Sequence, residues 1–164
     1  MNKNEQPAIQ SQKPSRKAKT LTSNELKEFI DAVKESPKPY KRVIIGHVSD
    51  EAKKRIEIEA KGKINAQKLN NINIDSESVY YALKKLHHNL ESSDLLLAVE
   101  VINTATDIEL SNTQHQDNDV ILFKKDIDGE ITFLTEVRIG KGYLLIFDAY
   151  RQKKAHSRKR FNAT

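Results

Sequence analysis

Two adjacent histidines, His87 and His88, offer the side chain whose unperturbed charge change falls near neutral pH. On a helical wheel His87 sits at the border of an apolar face, beside Leu83 and Tyr80, where a partly desolvated imidazole suits a general acid or base. His88 points to the opposite, solvated side. The competing role for the pair is to stabilise the negative C-terminal end of its helix. A second set comes from strand-like residues near the C-terminus. Glu136 and Arg138 stand two apart on one strand face, about 7 Å apart at Cβ. Lys124 or Lys125 ends the neighbouring strand. Asp148 and Tyr150 follow Leu144 and Ile146 on one face of the last strand. A helix His, a strand Arg and a terminal Tyr converging on one concave sheet face would suit phosphodiester cleavage. The guanidinium would neutralise the pentavalent phosphate, and the imidazole would move the ribose 2′-hydroxyl proton. The alternative for Glu136 and Arg138 is a weak surface ion pair. Tyr143, Phe147 and Phe133 read as core residues rather than base-stacking platforms.

Other chemistries find little support. The five histidines are scattered at 47, 87, 88, 115 and 156, and neighbours on a helix diverge by about 100°, so no metal site is expected. No cysteine is present, which removes disulfides, thiolate ligands and a thiol nucleophile. Gly140-Lys141-Gly142 fits a hairpin turn and is too short for a phosphate loop, so no cofactor is expected.

The elements that must position these groups can be read from periodicity. A helix with Leu26, Phe29, Ile30 and Val33 follows a cap at Ser23 or Asn24, and Ser36-Pro37-Lys38-Pro39 ends it. Arg42 to Ile45 reads as a short strand, and Ser49 caps a helix carrying Ala52 and Ile56. Asn65 to Asn73 is Asn-rich, with Ile72 and Ile74 alternating as a brief strand or extended loop. Asp75 or Ser76 opens a helix expected over 76–90, with Val79, Leu83, Leu86 and Leu90 on one face. A second helix follows Ser92-Ser93 with Leu95, Leu96, Val99 and Ile102 inward. Strands then take over: Ile108 to Leu110, Val120 to Phe123, a turn at Asp128-Gly129, the alternating run Glu130 to Arg138, and Tyr143 to Phe147. The expected class is α+β, with N-terminal helices packed on a C-terminal antiparallel sheet of about four strands.

The net charge is +5, with a telling distribution. Residues 1–20 carry five basic residues against Glu5, and residues 151–164 carry six and no acid, so the body between them is acidic. Basic ends condense on phosphate backbones without reading sequence. The expected organisation is a disordered basic tail (1–20), a short helix and Pro linker (21–39), an α+β domain (40–150) and a basic C-terminal tail (151–164). No apolar run is long enough to span a bilayer, and residues 1–20 have no apolar signal core, so a cytoplasmic protein without a membrane partner is expected.

Two stretches carry a family resemblance. VIIGHVSDEAKKRIEIEAKGKINAQKLNNINIDSESVYYALKKLHHN resembles the front half of phage nuclease domains of the barnase–EndoU–colicin–RelE superfamily, with a Gly, strand-turn, helix, Gly opening and a Lys-Lys-x-His motif at Lys84-Lys85-Leu86-His87. VILFKKDIDGEITFLTEVRIGKGYLLIFDAYRQKK is similar to that family's closing strands. Together they cover about residues 43–154. The resemblance implies a barnase/EndoU/RelE-like fold and metal-independent RNA cleavage, with His87 or His88 as base or acid. It also implies Arg138 with Lys124 or Lys125 as phosphate clamp and Tyr150 as a positioning hydroxyl. RNA, through its phosphate backbone, is the expected partner, with an immunity or host protein as a second. The chain departs from the family pattern at Tyr80 and Tyr81, where an additional His is common, and at Asp148, where Thr is common. Asp148 would repel phosphate unless it pairs with Arg138, Lys141 or Arg151, and Glu136 completes the expected binding set. The other expectation is a catalytically silent phage-type module that its basic tails tether to nucleic acid or a host protein.

Overall fold

A computed structural model describes residues 19–84, 92–111, 118–127, 129 and 131–153. The first helix, α1 (Ser23–Val33), starts from a capping box. The Thr22 hydroxyl accepts from the Glu25 amide, and the Thr22 amide donates to Glu25 Oε1. Its Leu26, Phe29, Ile30 and Val33 are buried in the same cluster as the sheet residues, so this segment shares the core of the chain that follows. Ser49 caps α2 (Asp50–Glu59) by accepting from the Ala52 amide. Asp75 caps α3 (Ser76–Leu83) through a 2.8 Å bond from the Ser78 amide. The fourth helix, α4 (Ser92–Thr104), buries Leu95, Ala98, Val101 and Ile102.

The expected helix over 76–90 is shorter in the structure. It stops at Leu83, and Lys84 caps it with its amide 3.2 Å from the Tyr81 carbonyl, the tighter i→i+3 pairing of a terminating turn. Leu86, His87, His88 and Leu90 lie outside the described residues.

The sheet also differs from the expectation of about four antiparallel strands. It has six strands: β1 (Arg42–His47), β2 (Asn71–Asp75), β3 (Asp107–Leu110), β4 (Val120–Asp126), β5 (Ile131–Ile139) and β6 (Tyr143–Lys153). They lie in the order β1-β2-β6-β5-β4-β3, and β2 pairs with β6 in parallel, so the sheet is mixed. The four C-terminal strands arise from local hairpin-like patterning, whereas the β2–β6 pairing joins segments far apart in sequence and leaves no local signal. Gly129 adopts φ +88° at the β4–β5 turn, while Asp128 lies outside the described residues.

One face of the sheet carries the core. Ile72, Ile74, Leu144, Ile146, Phe133 and Phe123 are at most 2% exposed there and meet the buried sides of the helices. Each such side chain contributes about 1.5–3 kcal/mol through the apolar surface it removes from water. The approach of α4 is close: a side-chain carbon on Gly46 of β1 would stand 2.6 Å from Val99. Asn103 fastens the helix end, accepting from the Ser49 amide and donating to the His47 carbonyl, each at 2.9 Å.

Candidate functional site

Strand register decides which expected site residues share a face. On β5, Glu136 and Arg138 point away from α4, because Thr135 before them and Val137 between them are buried on the helix-bearing side. On β6 the ladder passes from Glu136↔Asp148 directly to Val137↔Ile146, so Phe147 is an extra residue and forms a β-bulge. The bulge reverses the phase of the strand. Asp148 and Tyr150 lie on the far face with Glu136 and Leu134, while Leu144 and Ile146 lie in the core. The expectation that all four share one face is therefore corrected by one inserted residue.

The far face collects Arg138, Glu136, Asp148, Tyr150 and Lys124 of the expected residues. Lys124 stands opposite Leu134, which stands opposite Tyr150, placing the lysine and the phenol in one cross-strand row. The neighbouring row sets Glu136 opposite Asp148, two carboxylates on adjacent strands; Asp148 is buried and its Oδ1 accepts from the Ala149 amide at 3.0 Å. The next row runs Ile44, Asn73, Leu145, Arg138, Val120 across five strands.

Three other expected residues go elsewhere. Lys125 faces the helices, donating to the Thr104 hydroxyl and lying 3.5 Å from Glu100. Arg151 lies opposite Phe133 on the core side and pairs with Asp94 at the start of α4, at 2.7 Å. Both therefore tie the sheet to α4: Lys125 does not join the expected phosphate clamp, and Arg151 pairs with Asp94 and not with Asp148. Lys141 is exposed in the β5–β6 turn. His87 and His88, at the centre of the expected chemistry, lie outside the described residues.

Arg138 has no hydrogen-bond or ion-pair partner among the described residues, and its Nε is buried. It forms no ion pair with Glu136, so the ordinary cross-strand pair considered from sequence is not made. Asn73, two strands away in the same row, is 6% exposed, and its Oδ1 is also buried without a partner. Exchanging the amide oxygen and nitrogen would still leave one buried polar atom unbonded. Leaving such a group unmade costs about 1–3 kcal/mol. Two of them flanking Leu145 mark a place where the fold tolerates polar groups that a ligand could satisfy.

The sequence reading missed several residues on this face. Tyr143, expected in the core, is half-buried here, and its hydroxyl accepts a 2.7 Å bond from Arg42 Nη1. The Arg42 guanidinium also lies 4.4 Å from the Tyr143 ring centre. His47, on the same face of β1, has Nε2 2.9 Å from the Thr20 hydroxyl and Nδ1 3.2 Å from Asn71 Oδ1. The alternation Ile72-Asn73-Ile74 was the available signal for Asn73: a strand with apolar residues in one phase must turn the intervening residue to the other face.

A cleft of about 430 Å³ lies elsewhere, between α1 and the 36–41 segment, lined by Phe29, Val33, Pro37 and Pro39 with Glu25 and Glu28. It contains none of the expected site residues. Among the described residues no group of three or more His, Asp or Glu side chains is placed to hold a metal ion, and no helix is long and apolar enough to cross a membrane. No family model, curated protein or solved structure matches the chain.

Proposed function

We propose that the far face of the sheet binds RNA through its phosphates and that the chain is a metal-independent ribonuclease acting there by 2′-hydroxyl transesterification. The observation that carries this reading is Arg138, a half-buried guanidinium without a partner among the described residues, set one row from two carboxylates. A phosphate would satisfy it with charge-assisted bonds. Glu136 takes the proton from the 2′-hydroxyl as its oxygen attacks phosphorus. Arg138 and Lys124 neutralise the charge that builds on the phosphoryl oxygens, and Tyr150 orients one of them. The bond to the 5′-oxygen breaks, leaving a 2′,3′-cyclic phosphate, and His87 or His88 protonates the departing oxygen. The basic residues in 1–20 and 151–164 add sequence-independent attraction.

One feature favours a second reading. Asp148 directly opposite Glu136 brings extra negative charge close to the phosphate, which suits a protein that holds RNA without cutting it. Incubation with total RNA in EDTA separates the two. The ribonuclease reading expects 2′,3′-cyclic phosphate ends, suppressed by 2′-deoxy substitution and by Arg138→Ala or Glu136→Gln. Intact RNA at protein excess, with Arg138-dependent binding, leaves the binding module. Absence of binding as well as cleavage removes both.

A further inference from the structure

We propose that Asn73 is the base-reading residue of a nucleotide subsite on the far face, adjoining Arg138 and bordered by the Arg42–Tyr143 pair. The inference rests on the reading of that face as a nucleic-acid site and adds what selects the nucleotide.

Several observations meet at one place. Asn73 is 6% exposed, and its carboxamide has no hydrogen bond among the described residues. In the strand register Asn73 and Arg138 flank Leu145, so their Cα atoms are separated by two strand spacings, on the order of 10 Å. That is the scale over which a nucleotide separates its base edge from its phosphate, and the side chain between them, Leu145, is apolar and buried. Arg42 pairs with Asp75, two residues beyond Asn73, while Tyr143 pairs with Asn71, two residues before it. The Arg42–Tyr143 contact therefore bridges β2 with Asn73 between its ends. Stacked guanidinium and phenol rings are flat surfaces on which nucleobases lie. Tyr143 is held in position by a glycine: a side-chain carbon on Gly140 would stand 2.3 Å from the ring.

A carboxamide supplies one acceptor and one donor side by side. It complements a planar edge that carries a neighbouring donor and acceptor, as adenine does with its 6-amino group and N7. Arg138, being charged and directed to phosphate, gives affinity without base preference. The division of labour is thus Asn73 for identity, Tyr143 and Arg42 for stacking, and Arg138 for grip.

The test uses the full chain and short single-stranded oligonucleotides of A, C or U with 2′-deoxy sugars, which bind without being cut. Fluorescence anisotropy gives each affinity. Native protein should prefer A-containing strands by roughly 5- to 100-fold, the discrimination of one bidentate contact. Asn73→Leu should abolish the preference while retaining binding that depends on Arg138, and should melt no lower than native, because it removes an unsatisfied buried group. Asn73→Asp, of equal size but without the donor, should also lose the preference. Arg138→Ala should weaken all strands by the same factor. Binding that depends on Arg138 but lacks base preference, or a preference that survives both Asn73 variants, overturns the inference and leaves the phosphate-binding face standing. Loss of stability in Asn73→Leu would mark the carboxamide as structural and also overturn it. Absence of binding to every strand overturns the inference together with the reading of the face.

Discussion

Arg138 and Arg151 lie on adjacent strands of one sheet, yet their environments oppose each other, and replacing each by Met should separate stability from binding. The Arg151–Asp94 pair is 2.7 Å long, with side chains 51% and 11% exposed. Exposed pairs contribute about 0–1 kcal/mol, and removing one partner of a buried pair costs about 3–5 kcal/mol. With the arginine half in solvent and the aspartate nearly out of it, a loss of about 1–2 kcal/mol is expected for Arg151→Met, lowering Tm on the order of 5 °C. Arg138→Met removes a buried unbonded Nε and no pair made among the described residues, so stability should change by less than about 0.5 kcal/mol or rise. On RNA the order reverses. A lost charged hydrogen bond of about 1.5–3 kcal/mol weakens binding about tenfold or more, and the dependence of log affinity on log salt should flatten by about one unit. Thermal melts by circular dichroism and anisotropy with an uncleavable strand at several salt concentrations read both effects. Greater loss of RNA affinity in Arg151→Met than in Arg138→Met, or a lower Tm in Arg138→Met than in Arg151→Met, would refute this reasoning.

Deleting Phe147 removes the bulge without shifting any β5–β6 pair, so the variant should fold with Asp148 and Tyr150 still on the far face, losing about 1 kcal/mol of packing; a melt with amide NMR checks this. Gly140→Ala pushes on the outer atoms of the Tyr143 ring, which can swing aside, so stability should fall by less than about 1 kcal/mol while strand binding weakens. Glu25, through its bond to Lys19 first and the Thr22 amide second, titrates at about 2 in place of 4.5. The depressed folded value means the ionised carboxylate stabilises α1 above the unfolded pKa near 4.5 and the stabilisation is lost as pH falls toward 2, so amide protection of residues 22–26 should fall across that window in native protein toward the lower, pH-independent level of Glu25→Gln.

Local patterning carried part of this site. The alternation from Ile131 onward correctly placed Glu136 and Arg138 together, because two residues on one strand need no partner to define their face. Lys124 and Lys125 could not be told apart from sequence, since the choice between them is the phase of β4 against α4. Asp148 and Tyr150 reached the far face by a route the sequence conceals: the Phe147 insertion is visible only against the β5 register. Asn73 becomes a neighbour of Arg138 only because β2 lies in parallel beside β6, a long-range pairing with no local signature. The helix expected over 76–90 is described only to Leu83, where Lys84 caps it, and the remainder of that expectation lies outside the described residues.

Titration of isotope-labelled protein with an uncleavable RNA strand, followed through amide and side-chain NMR signals, reaches the central claim most directly. Shifts should concentrate on Asn73, Leu145, Arg138, Glu136 and Tyr150 and spare Phe133, Ile146 and α4. Perturbation confined to the helices or to the basic ends, with the Arg138 signals unmoved at saturation, would contradict the assignment of the far face as the RNA site.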